Sequence, residues 1–228
     1  MIRIEAVDHD YGGTPVLRGV DLTLTERRIG VVGANGSGKS TLARLLNGLV
    51  LPSRGRVLVD GLDTKRDGAA VRRRVGFVFT DPDAQIVMPT VAEDVAFSLR
   101  RSGLSKVERA ARVHETLDRF GLSGHADHPA HLLSGGQKQL LALASVLVTE
   151  PTLLVCDEPT TLLDARNARA VGRLLSELPQ QIVLVTHHLD QVRTFDRVLV
   201  VDDGRVVADA APDAALAAYA ELIGEPAC

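Results

Sequence analysis

The sequence predicts an α/β fold, and three observations carry that expectation. Short β-branched runs alternate with stretches of helical period along the chain. One of those runs, Ile29 to Val32, leads straight into Gly33-Ala34-Asn35-Gly36-Ser37-Gly38-Lys39-Ser40-Thr41. Another, Leu153 to Cys156, ends in the adjacent carboxylates Asp157 and Glu158. At 228 residues the chain is long enough to bury a substantial core.

In chain order, Ile2 to Val7 and Val20 to Leu24 read as strands, and Ile29 to Val32 as a buried strand ahead of the glycine loop. Lys39 to Leu49 then reads as helix, and Arg56 to Val59 and Val75 to Phe79 as further strands. From Val91 to Phe120 the apolar period becomes helical. The stretch Gly121 to Leu132 reads as loop, followed by Leu133-Ser134-Gly135-Gly136-Gln137 and an apolar helix over Gln137 to Thr149. Leu153 to Cys156 and Ile182 to Thr186 are buried strands, with a helix over Ala165 to Leu178 between them. Asp203-Gly204 between two valine-rich runs signals a hairpin, and Pro212 to Ile223 a closing helix. With no internal repeat or low-complexity linker, the expectation is one unit over 1–228 with a helical insertion at about 82–140.

Composition narrows the function classes. The formal net charge is −3 and the pI about 6.2, so nothing global points to nucleic acid. The run Arg72-Arg73-Arg74 reads as a solvated face. Cys156 and Cys228 are too few for a disulfide framework and suit a reducing compartment. The N-terminus lacks an apolar signal core, and the most apolar stretch, Leu140 to Val148, is too short for a bilayer span of about 20 residues. Membrane association is therefore expected through a partner.

Four constellations carry chemistry. The loop Gly33 to Thr41 matches the GxxxxGK[ST] pattern between a strand and a helix. Backbone N–H groups there can turn inward on phosphate oxygens, Lys39 can reach the β- and γ-phosphates, and Ser40 is placed for Mg²⁺. A buried strand exposes side chains at its C-terminal end, so Asp157 is expected to support Mg²⁺ through water and Glu158 to polarise an attacking water as general base. His187 follows another buried strand and is expected to donate to a γ-phosphate. The second phosphate-holding stretch is Ser134 to Gln137, where Ser134 and the Gly135 and Gly136 amides open a helix. His125, His128 and His131 recur every third residue, but Gly124 and Pro129 argue against a shared helical face, and no acid or cysteine cluster lies nearby in sequence.

With these motifs in this order, the chain resembles the ATP-binding cassette ATPases over essentially all 228 residues. The resemblance implies a P-loop NTPase with a RecA-like core, an N-terminal antiparallel β subdomain and a helical subdomain. It implies an ATPase with Mg²⁺, in which Tyr11 stacks on adenine and Asn35 to Thr41 bind ATP in one subunit. Ser134, Gly135, Gly136 and Gln137 would then complete the site of a second subunit, packed head to tail, and Asp164 would couple the two sites of the dimer. One departure stands out: Thr80 occupies the place of a glutamine that, in the family, touches Mg²⁺ and links to the transmembrane partner. Gln85, five residues on, is not assigned that role.

The stretch Phe79 to Ile86, continuing through Pro89 to Phe97, is similar to the ATPases of prokaryotic energy-coupling-factor importers. Within that group, Gln85-Ile86-Val87-Met88-Pro89-Thr90 most resembles the biotin-uptake ATPase, with the cobalt and nickel ATPases next. The implied partners are an identical or paired ATPase, a transmembrane scaffold and a substrate-binding membrane subunit, at the cytoplasmic face of the membrane. The alternatives are a soluble cassette ATPase acting on nucleic acid, ribosomes or cluster assembly, and a small-molecule P-loop kinase. The first usually carries a coiled-coil insertion, tandem cassettes or a basic surface. The second leaves Ser134 to Gln137 without a purpose.

Overall fold

The computed structural model describes residues 1–224, so Cys228 lies outside the described residues. The chain forms two compact units. The first takes in Met1–Val75, Leu153–Glu158 and the chain from Gln180 onward, and the second Gly76–Thr152 and Pro159–Pro179.

In the first unit, β1 (Ile2–Tyr11), β2 (Thr14–Leu24), β4 (Arg54–Val59) and β5 (Leu62–Asp63) make an antiparallel sheet of order β2-β1-β4-β5. Its alternating apolar residues Ile2, Ile4, Leu22, Leu24, Val57 and Val59 are buried. A second sheet contains β3 (Arg28–Val32), β7 (Leu153–Asp157), β8 (Gln181–Val185), β9 (Arg197–Asp202) and β10 (Arg205–Ala210), in the order β10-β9-β3-β8-β7. All neighbours except β9 and β10 are parallel. Every residue of β3 and β7 is buried, as continuous apolar strands of a parallel sheet must be. The register pairs Val31 with Val185 and Val185 with Asp157. Gly33, Glu158 and Thr186 therefore leave the sheet at one edge, the C-terminal ends of adjacent strands. Ligands bind α/β sheets there.

Helices α1 (Lys39–Leu45), α2 (Gly68–Arg74) and α7 (Pro212–Ile223) belong to this unit. The hairpin at Asp203-Gly204 and the closing helix lie where the sequence places them. Helix α1 ends at Leu45 rather than Leu49, in a turn where Leu46 and Asn47 are buried. Strand β5 and helix α2 carry no signal in the sequence. The first is two residues long, and the second buries only Val71, leaving Arg72 to Arg74 exposed with no apolar period to read.

Strand β6 (Val75–Val78) carries the chain into the second unit, which holds α3 (Val91–Ser98), α4 (Lys106–Arg119), α5 (Gly135–Leu147) and α6 (Ala165–Glu177). The helical period of Val91 to Phe120 is thus two helices. The second begins at Ser105, whose side chain accepts from Glu108 N–H while Glu108 accepts from Ser105 N–H. Thr90 with Glu93 and Ser134 with Gln137 close the same capping box at α3 and α5. The segment expected at 82–140 lies inside this unit.

Candidate active site

The first unit brings the glycine loop together with the residues that follow β7 and β8. Gly33 has φ 150°, and a Cβ there would sit 2.1 Å from the Val201 carbonyl oxygen. Gly38 caps α1 at φ 105°, where a Cβ would come within 2.9 Å of Val16 O and Leu17 Cδ2. Both positions need glycine for conformation and for space. Lys39 is 6 % exposed and folds back so that Nζ donates to Ala34 O at 2.7 Å. Burial pulls its ammonium below the ordinary lysine value, while Glu158 and Asp157 pull it back up. Ser37 is also buried, and its Oγ has no hydrogen-bond partner. A buried cation and an unused hydroxyl facing a backbone cradle suit an anionic oxygen ligand.

Ser40 Oγ donates to Asp157 Oδ1 at 2.8 Å, and Arg44 Nη2 stands 3.5 Å from Oδ2. Ser40 and Arg44 are four apart on one helix, so both meet the same carboxylate. Asp157 is 1 % exposed, and burial raises its pKa against the opposing pull of Ser40 and Arg44. The Ser40–Asp157 oxygen pair is the hard donor set that Mg²⁺ prefers. Glu158 takes a left-handed backbone at φ 54°, held by its N–H donating to Val185 O at 2.9 Å. Its Oε2 lies 2.7 Å from His187 Nδ1. His187 thus faces the expected general base. Tyr11, half exposed, meets His9 edge to face with ring centroids 4.6 Å apart. Asn35 and Gly36 are exposed at the loop tip.

The second unit carries the other motif residues. Ser134 caps α5: Gln137 N–H donates to Ser134 Oγ at 3.3 Å, and Ser134 N–H to Gln137 Oε1 at 2.9 Å. Gly135 is exposed and Gly136 buried; a Cβ on Gly136 would lie 2.6 Å from Asn167 Cγ. Asn167 Nδ2 in turn donates to Asp164 Oδ2 at 2.8 Å. Asp164 caps α6, accepting from Arg166 N–H and Asn167 N–H at 2.9 Å each, and the Asn167 bond leads in lowering its pKa. Asn167, which the sequence reading does not single out, therefore joins Asp164 to the Ser134–Gln137 turn.

Thr80 follows β6, and the connection beyond it is tied to α5 by Gln85. That side chain accepts from Phe79 N–H at 3.2 Å and donates to Ala142 O at 3.3 Å, so its amide is committed inside the unit. Buried Asp94 accepts from Val87 N–H, Met88 N–H and Ser145 Oγ at 2.8, 3.0 and 2.7 Å. Asp94 and Arg44 are the main contributors that sequence reading misses. The signal for Arg44 is its i+4 spacing from Ser40; for Asp94 it is an acid on the apolar face of a helix.

Comparison with known proteins places these motifs in context. Residues 17–161 match the ABC transporter family. A Deinococcus radiodurans chain, provisionally named as an ABC transporter ATP-binding protein, is 57 % identical over 226 residues, covering 99 % of this chain and 100 % of its own. The biotin transport ATP-binding protein BioM of Rhizobium etli is 47 % identical, covering 97 % of this chain and 98 % of its own. An energy-coupling factor transporter ATP-binding protein, EcfA1 of Symbiobacterium thermophilum, is also 47 % identical, covering 89 % and 76 %. Among solved structures, cbiO1 of Clostridium perfringens, part of the ABC transporter complex cbiONQ, superposes with a TM-score of 0.84 at 35 % identity, covering 98 % of this chain and 92 % of that one.

Proposed function

Because this chain belongs to the ABC transporter ATPases, of the energy-coupling-factor type, we propose that it is the ATP-hydrolysing subunit of a prokaryotic vitamin importer, with biotin as the transported compound. The observation that carries the ATPase chemistry is the convergence of Lys39, Ser40, Asp157, Glu158 and His187 at the C-terminal ends of three parallel strands. Lys39 gives up its bond to Ala34 O for phosphate oxygens. Glu158 takes a proton from the attacking water, with His187 holding its carboxylate in place. Ser40 and, through water, Asp157 would hold Mg²⁺, which supplies positive charge at the phosphates.

The Ser134–Gln137 turn lies on the second unit, and in this reading it completes the site of an identical or paired subunit. The partner that receives the work is a membrane scaffold. No helix among the described residues is long and apolar enough to cross a membrane; in this reading the chain docks on the scaffold from the cytoplasmic face. The receiving surface is a groove of about 470 Å³ between α3 and α4, with Ala92, Ala96, Ala110, Val113 and Leu117 on its walls and Lys106 and Arg109 beside them. The likeness to BioM supports biotin.

Lys39→Ala is expected to lower ATP hydrolysis by at least ~10²-fold, and Glu158→Gln to keep ATP binding while stalling in a closed dimer. Wild-type turnover by Glu158→Gln would remove Glu158 as the base. Purification of the chain with its membrane components, followed by uptake of biotin against cobalt and nickel ions, tests the substrate. Metal-ion uptake without biotin uptake would replace biotin by the cobalt or nickel alternative.

A further inference from the structure

Beyond the Ser134–Gln137 turn itself, the second unit holds a hydrogen-bond chain that leads into it. The Gln137 amide is oriented by its oxygen: Ser134 N–H can donate only to Oε1, which it does at 2.9 Å. Gln137 Nε2 is therefore the atom facing His125 Nε2, also at 2.9 Å. An amide N–H₂ only donates, so His125 Nε2 must be bare and accept. The neutral ring then carries its proton on Nδ1, which points at His128 Nδ1 at 2.9 Å. His128 accepts there and keeps its own proton on Nε2. The chain has one direction, from Ser134 and Gln137 through His125 to His128. Both ring nitrogens of His125 are taken. With each of them in a hydrogen bond, the ring is a link in a relay.

The backbone around this relay is fixed to the start of α3. Ala92 N–H donates to Ala126 O at 2.9 Å, Val91 N–H to His128 O at 3.2 Å, and Ala130 N–H to Pro89 O at 2.8 Å. Ala126, next to His125, lines the α3–α4 groove. His125 thus stands between that groove and the turn.

We propose that His125 is a positioning residue for the Ser134–Gln137 turn: by accepting from Gln137 Nε2 it locks the amide in the one orientation that caps Ser134. Without that acceptor the amide is free to turn over, presenting –NH₂ to Ser134 N–H and opening the capping box. Ser134 then loses the orientation it needs to meet phosphate. The consequence for ATP rests on the reading above that this turn completes the partner subunit's site.

Two measurements test the relay on the full chain. Long-range ¹H–¹⁵N spectra of the imidazoles, with His125 assigned by its loss in His125→Leu, are expected to show the Nδ1–H tautomer, the minor form of a free imidazole. An Nε2–H tautomer at His125 overturns the proposal. In a Glu158→Gln background, His125→Leu is expected to raise the ATP concentration for half-maximal dimerisation roughly three- to tenfold, the worth of one net hydrogen bond. His125→Gln, whose amide oxygen replaces Nε2 as acceptor, is expected to restore it to within about twofold. No change in His125→Leu, or no rescue by His125→Gln at equal melting temperature, also overturns it. If Glu158→Gln alone stays monomeric at saturating ATP, the dimer reading fails, and the tautomer still decides the relay.

Discussion

Lys39 and Asp157 are each buried in the protonation state that water favours and the interior does not. The interior pulls the Lys39 ammonium down and pushes the Asp157 carboxyl up, in both cases chiefly by desolvation. The linkage sign follows. With its pKa raised in the fold, Asp157 binds its proton more tightly folded than unfolded, so stability falls as pH rises from the ordinary aspartate value through the raised one. Above that window the cost is complete. Asp157→Asn is therefore expected to raise the melting temperature of the nucleotide-free protein at neutral pH, by about 2–4 °C per kcal/mol relieved, while abolishing Mg²⁺-dependent hydrolysis. The gain should shrink as pH falls through the raised value and vanish below the ordinary aspartate value, where Asp157 is protonated folded and unfolded alike. A lowered melting temperature at pH 7.5 would mean that Ser40 and Arg44 outweigh burial. Cys156, fully buried beside Asp157, has its thiol pushed up for the same reason and stays protonated.

The helix ends carry the second class of consequence. Ser134 serves α5 as its N-cap, so Ser134→Ala is expected to cost about 1 kcal/mol in addition to any effect on phosphate binding. Gly136→Ala drives a methyl into Asn167, and overpacking of this kind costs about 1–3 kcal/mol. Because the clash is with one side chain, Asn167→Ala in the same chain should recover part of that loss. Melting temperatures of the two single variants and the double would show it as a coupling of opposite sign to the singles. Strict additivity would mean that Gly136 is needed for something other than Asn167. The caps at Ser105 and Ser134 are written locally as S-x-x-E and S-x-x-Q, although the expected helical period over Val91 to Phe120 ran through the first of them. The pairing of Gly136 with Asn167 is not so written, since no local pattern links residues 31 positions apart.

For the molecule as a whole, the motif residues fall on two units: the phosphate loop, Asp157, Glu158 and His187 on one, Ser134 to Gln137 and Asp164 on the other. If turnover needs a second subunit, specific activity should rise with protein concentration at low enzyme and level off once dimers form. A rate strictly proportional to concentration throughout would favour a self-sufficient chain. The sequence by itself determined the family, the α/β class and the residues of the phosphate loop, because each is written in contiguous spacing that backbone geometry reads locally. Only the tertiary structure decided that His187 faces Glu158, that Arg44 and Ser40 share Asp157, that Asp94 fastens the loop after Gln85, and that His125 orients Gln137. Those are contacts between segments distant along the chain or between side-chain atoms whose direction packing sets, and hydrogen bonds of that kind leave no period in a sequence.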